Sequence, residues 1–337
     1  MGAEIYQERI AQYAPAALSM TTPGRWSIDR AIFRSLRSHL PGTNRLPMGY
    51  VIRASAPMRM RIGRLLYRRS TVTHRMNLEL PPAAHGDVIT LHDVVAWRFP
   101  DESSPVPAAK EEARRADAVI CVSEFTAQEA VDLLGVQNPI VIHNGVDGRF
   151  FDATPLDQGT RSALRVPDRY VVHVGGAAQR KNLGALAEAW PHVRRERPDL
   201  HLVLAGPEHP RRTELFRDLP GVVLVGRLSD ESMPSLIAGA QAAVVPSLYE
   251  GFGLPVLEAM AAGVPVVAAN TSSLPEVAGK AAILVEPTAR GLAEGLLDAT
   301  SGDAGVLELV RAGRTRAAEF SWERAAVKHA QLWTSLG

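Results

Sequence analysis

Two α/β domains, each a parallel sheet wrapped by helices, are what this sequence predicts, and three observations predict it. The chain has 337 residues, beyond the usual limit for one hydrophobic core. Short apolar runs alternate with longer amphipathic ones, the pattern of parallel strands joined by helical crossovers. Between Asn144 and Pro167 that periodicity lapses and Gly, Asp and Pro accumulate, which marks a seam. With 46% apolar and 22% charged residues, the composition is that of an ordinary globular protein.

The elements follow in order. Before the seam, strands are predicted at 71–74, 87–91, 118–122 and 140–143. After it they are predicted at Tyr170–Val174, His201–Leu204, Val222–Val225, Ala242–Val245, Val264–Ala268 and Ala282–Val285. An amphipathic segment, Trp322 to Leu336, closes the chain. The single cysteine, Cys121, excludes an intrachain disulfide and any multi-cysteine metal site; inside the run Ala118–Val122 it reads as a buried strand residue. No apolar stretch reaches 18 residues. Glu4, Glu8 and Arg9 interrupt any signal-like start, and Gly2 lacks the Ser or Thr at position 6 that myristoylation requires. A cytoplasmic chain is expected.

The net charge of +1 hides an asymmetry. Residues 1–80 hold thirteen Arg and no Lys against four acids, giving +9 there and −8 in the remainder. Arg53, Arg59, Arg61, Arg64, Arg68 and Arg69 cluster around Met58, Met60, Ile62, Leu65 and Leu66. That pattern fits peripheral contact with an anionic membrane surface, an anionic acceptor, or a plain solvated helix face. No aromatic-rich or helix-turn-helix pattern accompanies the arginines, so no nucleic-acid partner is expected.

The most telling stretch runs from Pro246 to Gly279, where Glu250 and Glu258 bracket a Gly-Phe-Gly-Leu turn between an apolar strand and a helix. Gly251 and Gly253 let the backbone approach a ligand, and the helix start favours an anion such as a diphosphate. Glu258 lies more than a turn further on, too far in to act merely as a cap. A carboxylate there can accept two ribose hydroxyls.

This Glu-x7-Glu segment, with GFGLPVLEAMA inside it, resembles the signature of the retaining glycosyltransferases of family 4 (glycosyl transferases group 1). The likeness extends through LHDVVAWRFPDE near residue 91, ADAVICVSEFTAQEA near 116, VIHNGVD at 141–147, GGAAQRKNL at 175–183, VGRLSDESMPSLIAGA at 225–240 and FSWERAA at 320–326. It implies a GT-B fold, two Rossmann-like doubly wound domains facing across a cleft. Residues 1–150 would be the acceptor side, 151–320 the nucleotide-sugar-binding domain, and 321–337 a helix returning to the first domain. The implied reaction, in polysaccharide biosynthesis, moves a hexose from a nucleotide-diphosphate sugar to a hydroxyl of a glycan, lipid-linked or small-molecule acceptor. The donor would be GDP-mannose-like or a UDP- or dTDP-sugar; the RKN sequence loosely resembles users of GDP-mannose. One departure stands at the front: Met1 to Tyr6 looks like the end of the family's first glycine loop, so the preceding strand is missing or truncated, and either the true start lies upstream of Met1 or the first sheet closes without that strand.

Roles carry over residue by residue. Lys181, one of only four lysines, matches the family's phosphate-binding lysine. Its companion arginine, directly after the strand's glycine, is Gly176 here, and Arg180 is the candidate replacement. The resemblance places Glu250 near the sugar 3-hydroxyl, Gly251, Phe252, Gly253 and Leu254 at the diphosphate, Glu258 at the ribose, and His92 at the donor sugar. Asp93, His74 and Gly2 are candidates on the acceptor side. No Asp-x-Asp occurs, so neither a metal nor another cofactor is expected. Two other classes stay open: another enzyme on this architecture, such as an epimerase or a pyridoxal-dependent phosphorylase, and a non-catalytic nucleotide-sugar binder.

Overall fold

A computed structural model describes residues 2–22, 24, 26–100 and 102–337. The chain divides into two compact units, Met1–Gly145 with Trp322–Gly337, and Val146–Ser321. Strands β1 (Phe33–Ser35) and β2 (Asn44–Leu46) form a small parallel pair in the first unit. Its main sheet holds β3 (Thr73–Arg75), β4 (Asp87–Leu91), β5 (Ala118–Cys121) and β6 (Ile140–Val141), all parallel, in that spatial order. The second unit is built on β7 (Tyr170–Val174), β8 (His201–Ala205), β9 (Val222–Gly226), β10 (Ala242–Val245), β11 (Val266–Ala269) and β12 (Ile283–Val285). Its order is β12-β11-β10-β7-β8-β9, again all parallel.

Each of the ten apolar runs thus overlaps a strand. β4, β5, β10 and β11 are buried along their whole length, because helices cover both faces of a parallel sheet. Cys121 is fully buried on β5. The core of the second unit gathers Val171, Leu202, Leu204 and Val244 from the sheet with Leu183, Leu186, Trp190, Leu292 and Leu296 from helices.

Met1 to Tyr6, expected as the end of a glycine loop, is helical from Gly2 onward. The helix Gly2–Thr21 buries Tyr6, Ile10, Ala14, Ala17 and Leu18, spaced along one face, against the helix Trp322–Leu336. A hydrogen-bond chain fastens the two to the sheet. His329 Nδ1 donates to the Ala325 carbonyl at 2.7 Å, so its Nε2 accepts from the Tyr6 hydroxyl at 2.6 Å. That hydroxyl in turn accepts from Thr90 Oγ1 at 2.8 Å, and His74 Nε2 completes the chain on Thr90 at 2.7 Å.

The basic cluster at 53–69 divides in two. Within the helix Ala56–Leu66, Arg59 is turned fully inward, contrary to its placement in a solvent-facing patch. It ion-pairs with Glu112 at 2.5 Å and donates to the carbonyls of Val51, Leu78, Glu79 and Leu80. Arg75, also buried, binds Asp87 through two hydrogen bonds of 2.8 and 2.6 Å. With both carboxylates and the loop carbonyls satisfied, these buried charges meet the condition under which such pairs are tolerated.

Candidate functional site

In the second sheet the chain runs outward from β7 through β8 to β9, then returns to the other side of β7 to lay down β10, β11 and β12. The order therefore reverses between β7 and β10. In open α/β sheets, ligands bind beyond the carboxyl ends of the strands at such a switch point. The two loops leaving β7 and β10 carry Gly175 to Lys181 and Pro246 to Gly253.

From β7 the chain turns through Gly175 and Gly176 into a short 3-10 turn, Gln179–Lys181, and the helix Leu183–Glu196 follows Asn182, which adopts φ +55°. Asn182 Nδ2 ties this turn to the carbonyls of Pro246 (3.0 Å) and Pro287 (2.9 Å), and the Leu248 amide donates to the Arg180 carbonyl at 2.7 Å. The loops after β7 and β10 are thereby stitched together. Lys181 Nζ lies 2.6 Å from Glu250 Oε1, and Ser247 Oγ donates to the same oxygen at 2.7 Å. Arg180 reaches Glu250 Oε2 at 3.5 Å and the Tyr249 carbonyl at 3.2 Å. Glu250 is only 7% exposed. Burial alone would raise its pKa, but Lys181, by charge and hydrogen bond, with Arg180 and Ser247, holds the carboxyl below the ordinary value, so it stays ionised.

The turn after Glu250 is held from behind. Ser273 Oγ donates to the carbonyls of Glu250 (2.9 Å) and Phe252 (2.8 Å), while Ser272 Oγ accepts from the Glu250 amide at 3.0 Å. Gly253 has φ +105° and opens the helix Leu254–Ala261, with Pro255 in its first turn. The helix closes in a Schellman arrangement: Gly263 has φ +73°, its amide donates to the Met260 carbonyl, and the Val264 amide donates to that of Ala259. Phe252 departs from expectation. Its side chain is 4% exposed and meets Phe320 edge-on at 5.9 Å, so the ring is packed within the unit rather than presented at the turn's surface.

Glu258 is half-buried, and its carboxylate has no partner among the described residues. Burial, with Asp147 and Asp230 nearby, pushes its pKa up to about 7. Gly176 opens onto free space, with nothing within 4 Å of where a Cβ would stand. Lys181, Arg180, Glu250, the 251–254 turn, Glu258 and Gly176 thus share one unit.

The remaining candidates lie in the first unit. His92, at the carboxyl end of β4, packs its ring edge-on to Tyr6 at 4.7 Å. Its Nε2 is buried without a partner, and burial lowers its pKa to about 4, leaving a neutral imidazole. Asp93 Oδ1 accepts from the Val95 amide at 3.1 Å, as a turn-stabilising aspartate does. His74 is held by Thr90 and stacked on His329 at 5.5 Å. Residues that the sequence reading missed include Ser247, Ser272 and Ser273. All three stand inside the Pro246–Gly279 stretch, where hydroxyls flanking a glycine turn were the available signal.

Two parallel-sheet α/β units, one with its strand order reversed at a loop-rich switch point, make this a GT-B protein. Two family descriptions match, Glycosyl transferases group 1 over residues 168–301 and Glycosyltransferase Family 4 over residues 81–149. The chain belongs to the group 1, family 4 glycosyltransferases. It is 28% identical over 279 residues to O-antigen chain mannosyltransferase B of Escherichia coli, covering 76% of this chain and 72% of that protein. It is 31% identical over 151 residues to a GDP-mannose-dependent alpha-(1-6)-phosphatidylinositol dimannoside mannosyltransferase of Mycobacterium tuberculosis, covering 44% of this chain and 39% of that one. In fold it is similar to WaaG, a glycosyltransferase involved in lipopolysaccharide biosynthesis, with a TM-score of 0.71 over 98% of this chain and 96% of WaaG at 16% identity.

Proposed function

We propose that this chain is a retaining, metal-independent hexosyltransferase that takes mannose from GDP-mannose and delivers it to a hydroxyl of a glycan or lipid-linked acceptor. The observation that carries the reading is the ion pair of Lys181 and Glu250 at 2.6 Å, built from the two loops that flank the switch point. Sugar transfer passes through an oxocarbenium-like state while negative charge grows on the departing diphosphate. Lys181, with Arg180 beside it, brings fixed positive charge for the diphosphate, and the amides opening the helix Leu254–Ala261 add donors. Glu250, kept ionised, steadies positive charge at the sugar. Glu258 takes the ribose hydroxyls. His92 is proposed for the donor sugar on the family resemblance alone. Two mannosyltransferase relatives, one named as GDP-mannose-dependent, support the choice of donor.

A thermal-shift screen of nucleotide sugars, followed by turnover in EDTA, tests the reading. A ligand at 100 times its Kd adds about 2.7 kcal/mol of stability. GDP-mannose is expected to give the largest shift, and transfer to survive chelation. No shift with any donor removes the proposal; rescue of a chelated enzyme by manganese removes its metal independence.

The exposed face of the helix Ala56–Leu66 supports one further partner, an anionic membrane. Met58, Arg61 and Leu65, at helical spacing, are all exposed, with Leu65 at 76%, as is Arg68 in the turn just after the helix, and no acid occurs between Arg30 and Leu78. Sedimentation with phosphatidylglycerol vesicles is expected to fall at least about tenfold in an Arg61→Glu, Arg64→Glu double variant, since each basic group near such a surface adds about 1 kcal/mol. Equal binding to neutral vesicles removes this reading.

A further inference from the structure

The glycine turn after β7 rests on a buried cation. Arg212, from the helix Pro210–Phe216, is 3% exposed and has no carboxylate partner among the described residues. Its guanidinium donates to the Gly175 carbonyl and, at 3.1 Å, to that of Pro207, while its Nε has no partner. A buried unpaired charge is costly, and the two other basic groups of the turn already share Glu250. Arg212 is left with carbonyl oxygens only.

That arrangement fixes the orientation of a peptide. The Gly175 carbonyl points down at Arg212, and Gly206, at φ +147°, makes room for it, since a Cβ there would stand 2.0 Å from the Gly175 oxygen. A trans peptide sets its C=O and the following N–H in opposite directions, so the Gly176 amide points away from Arg212. It points from a residue that borders open space. Beside it, His173 donates from Nδ1 to the Val244 carbonyl at 3.1 Å and leaves Nε2 bare and buried. Burial keeps that imidazole neutral, with a pKa lowered to about 4.

Resting on the donor-binding reading above, we infer that Arg212 is a positioning residue for the donor diphosphate. It turns the Gly176 amide outward and supplies from beneath the turn the positive charge that an arginine at position 176 would supply from above. Arg212 itself touches no substrate; it acts through Gly175 and through its field.

The test compares full-length Arg212→Gln, Arg212→Met and Arg212→Lys with wild type for affinity toward GDP, guanosine and inorganic pyrophosphate. The Gln and Met variants are expected to lose at least about tenfold for GDP and pyrophosphate, as one charge several ångströms away in a partly buried site warrants. Guanosine should stay within about twofold, and the Lys variant within about threefold throughout. Equal loss of GDP and guanosine, the mark of a merely structural role, overturns the inference, and so does no loss at all. If neither uncharged variant folds, the Lys variant decides, and a tenfold loss of pyrophosphate there counts against the field. A wild type that binds pyrophosphate but not GDP refutes the choice of a guanine-nucleotide donor and leaves the diphosphate role of Arg212 standing; binding of neither refutes both.

Discussion

Replacing Glu258 by Gln should stabilise the protein in alkaline solution and weaken nucleotide binding at once. The folded carboxyl has its pKa raised from 4.5 to about 7, chiefly by burial, with Asp147 and Asp230 adding to it. A raised acid costs nothing below its unfolded pKa, where both states are protonated. The cost grows as pH rises from about 4.5 and is complete above about 7, where the folded state must hold the charge it resists. A shift of roughly 2.5 units at about 1.4 kcal/mol each gives about 3 kcal/mol, and solvent reaching a half-buried group trims this to about 2–3 kcal/mol. Gln has no charge to bury, so its advantage over wild type should be about 2–3 kcal/mol at pH 8 and vanish near pH 4.5. Urea unfolding of both proteins at the two pH values measures it. The buried histidines titrate alike in both proteins and cancel in the comparison. An advantage independent of pH, or a Gln variant less stable at pH 8, would refute the reasoning. Calorimetry with GDP should at the same time show about 1–3 kcal/mol of lost affinity, the worth of hydrogen bonds to a charged acceptor.

Lys181→Ala removes a donor aimed at charge that grows in the transition state, and should lower kcat roughly 10²–10³-fold. The fold should persist, because Glu250 keeps Ser247 and Arg180; retention of more than about a third of wild-type kcat takes Lys181 out of the reaction. Tyr6→Phe breaks the bridge between Thr90 and His329 and should cost about 1–3 kcal/mol in urea unfolding, since it strands a buried imidazole nitrogen. A loss under about 0.5 kcal/mol would mean that the chain of hydrogen bonds is incidental.

The strands were legible because burial on both faces of a parallel sheet writes an apolar run into the sequence, as in Ala242–Val245. β1 and β2 were not, being three residues long, largely polar and partly exposed. The helix Leu254–Ala261 announced itself by the glycines before it, and Lys181 and Glu250 were each singled out from separate motifs, although their pairing was not foreseen. What escaped were contacts that depend on distant partners. Arg59 looks like surface charge until Glu112, 53 residues away, is brought beside it. Phe252 looks like a ligand contact until Phe320 covers it. Arg212 and His173 carry no local signal, because their meaning comes from which strand loops become neighbours.

The helix Trp322–Leu336 belongs to the unit that contains the first residues of the chain, yet it is encoded after the whole of Val146–Ser321. On a ribosome the helix Gly2–Thr21 emerges some 300 residues before its partner, a wait of about 15–60 s at ordinary elongation rates. During that interval the apolar row of Tyr6, Ile10, Ala14 and Leu18 has no cover from the helix that later buries it. The later-made unit is therefore complete before the earlier one. Until the helix Trp322–Leu336 has been made, a nascent chain offers a chaperone an exposed amphipathic helix, and synthesis of that later helix is the step that covers Gly2–Thr21.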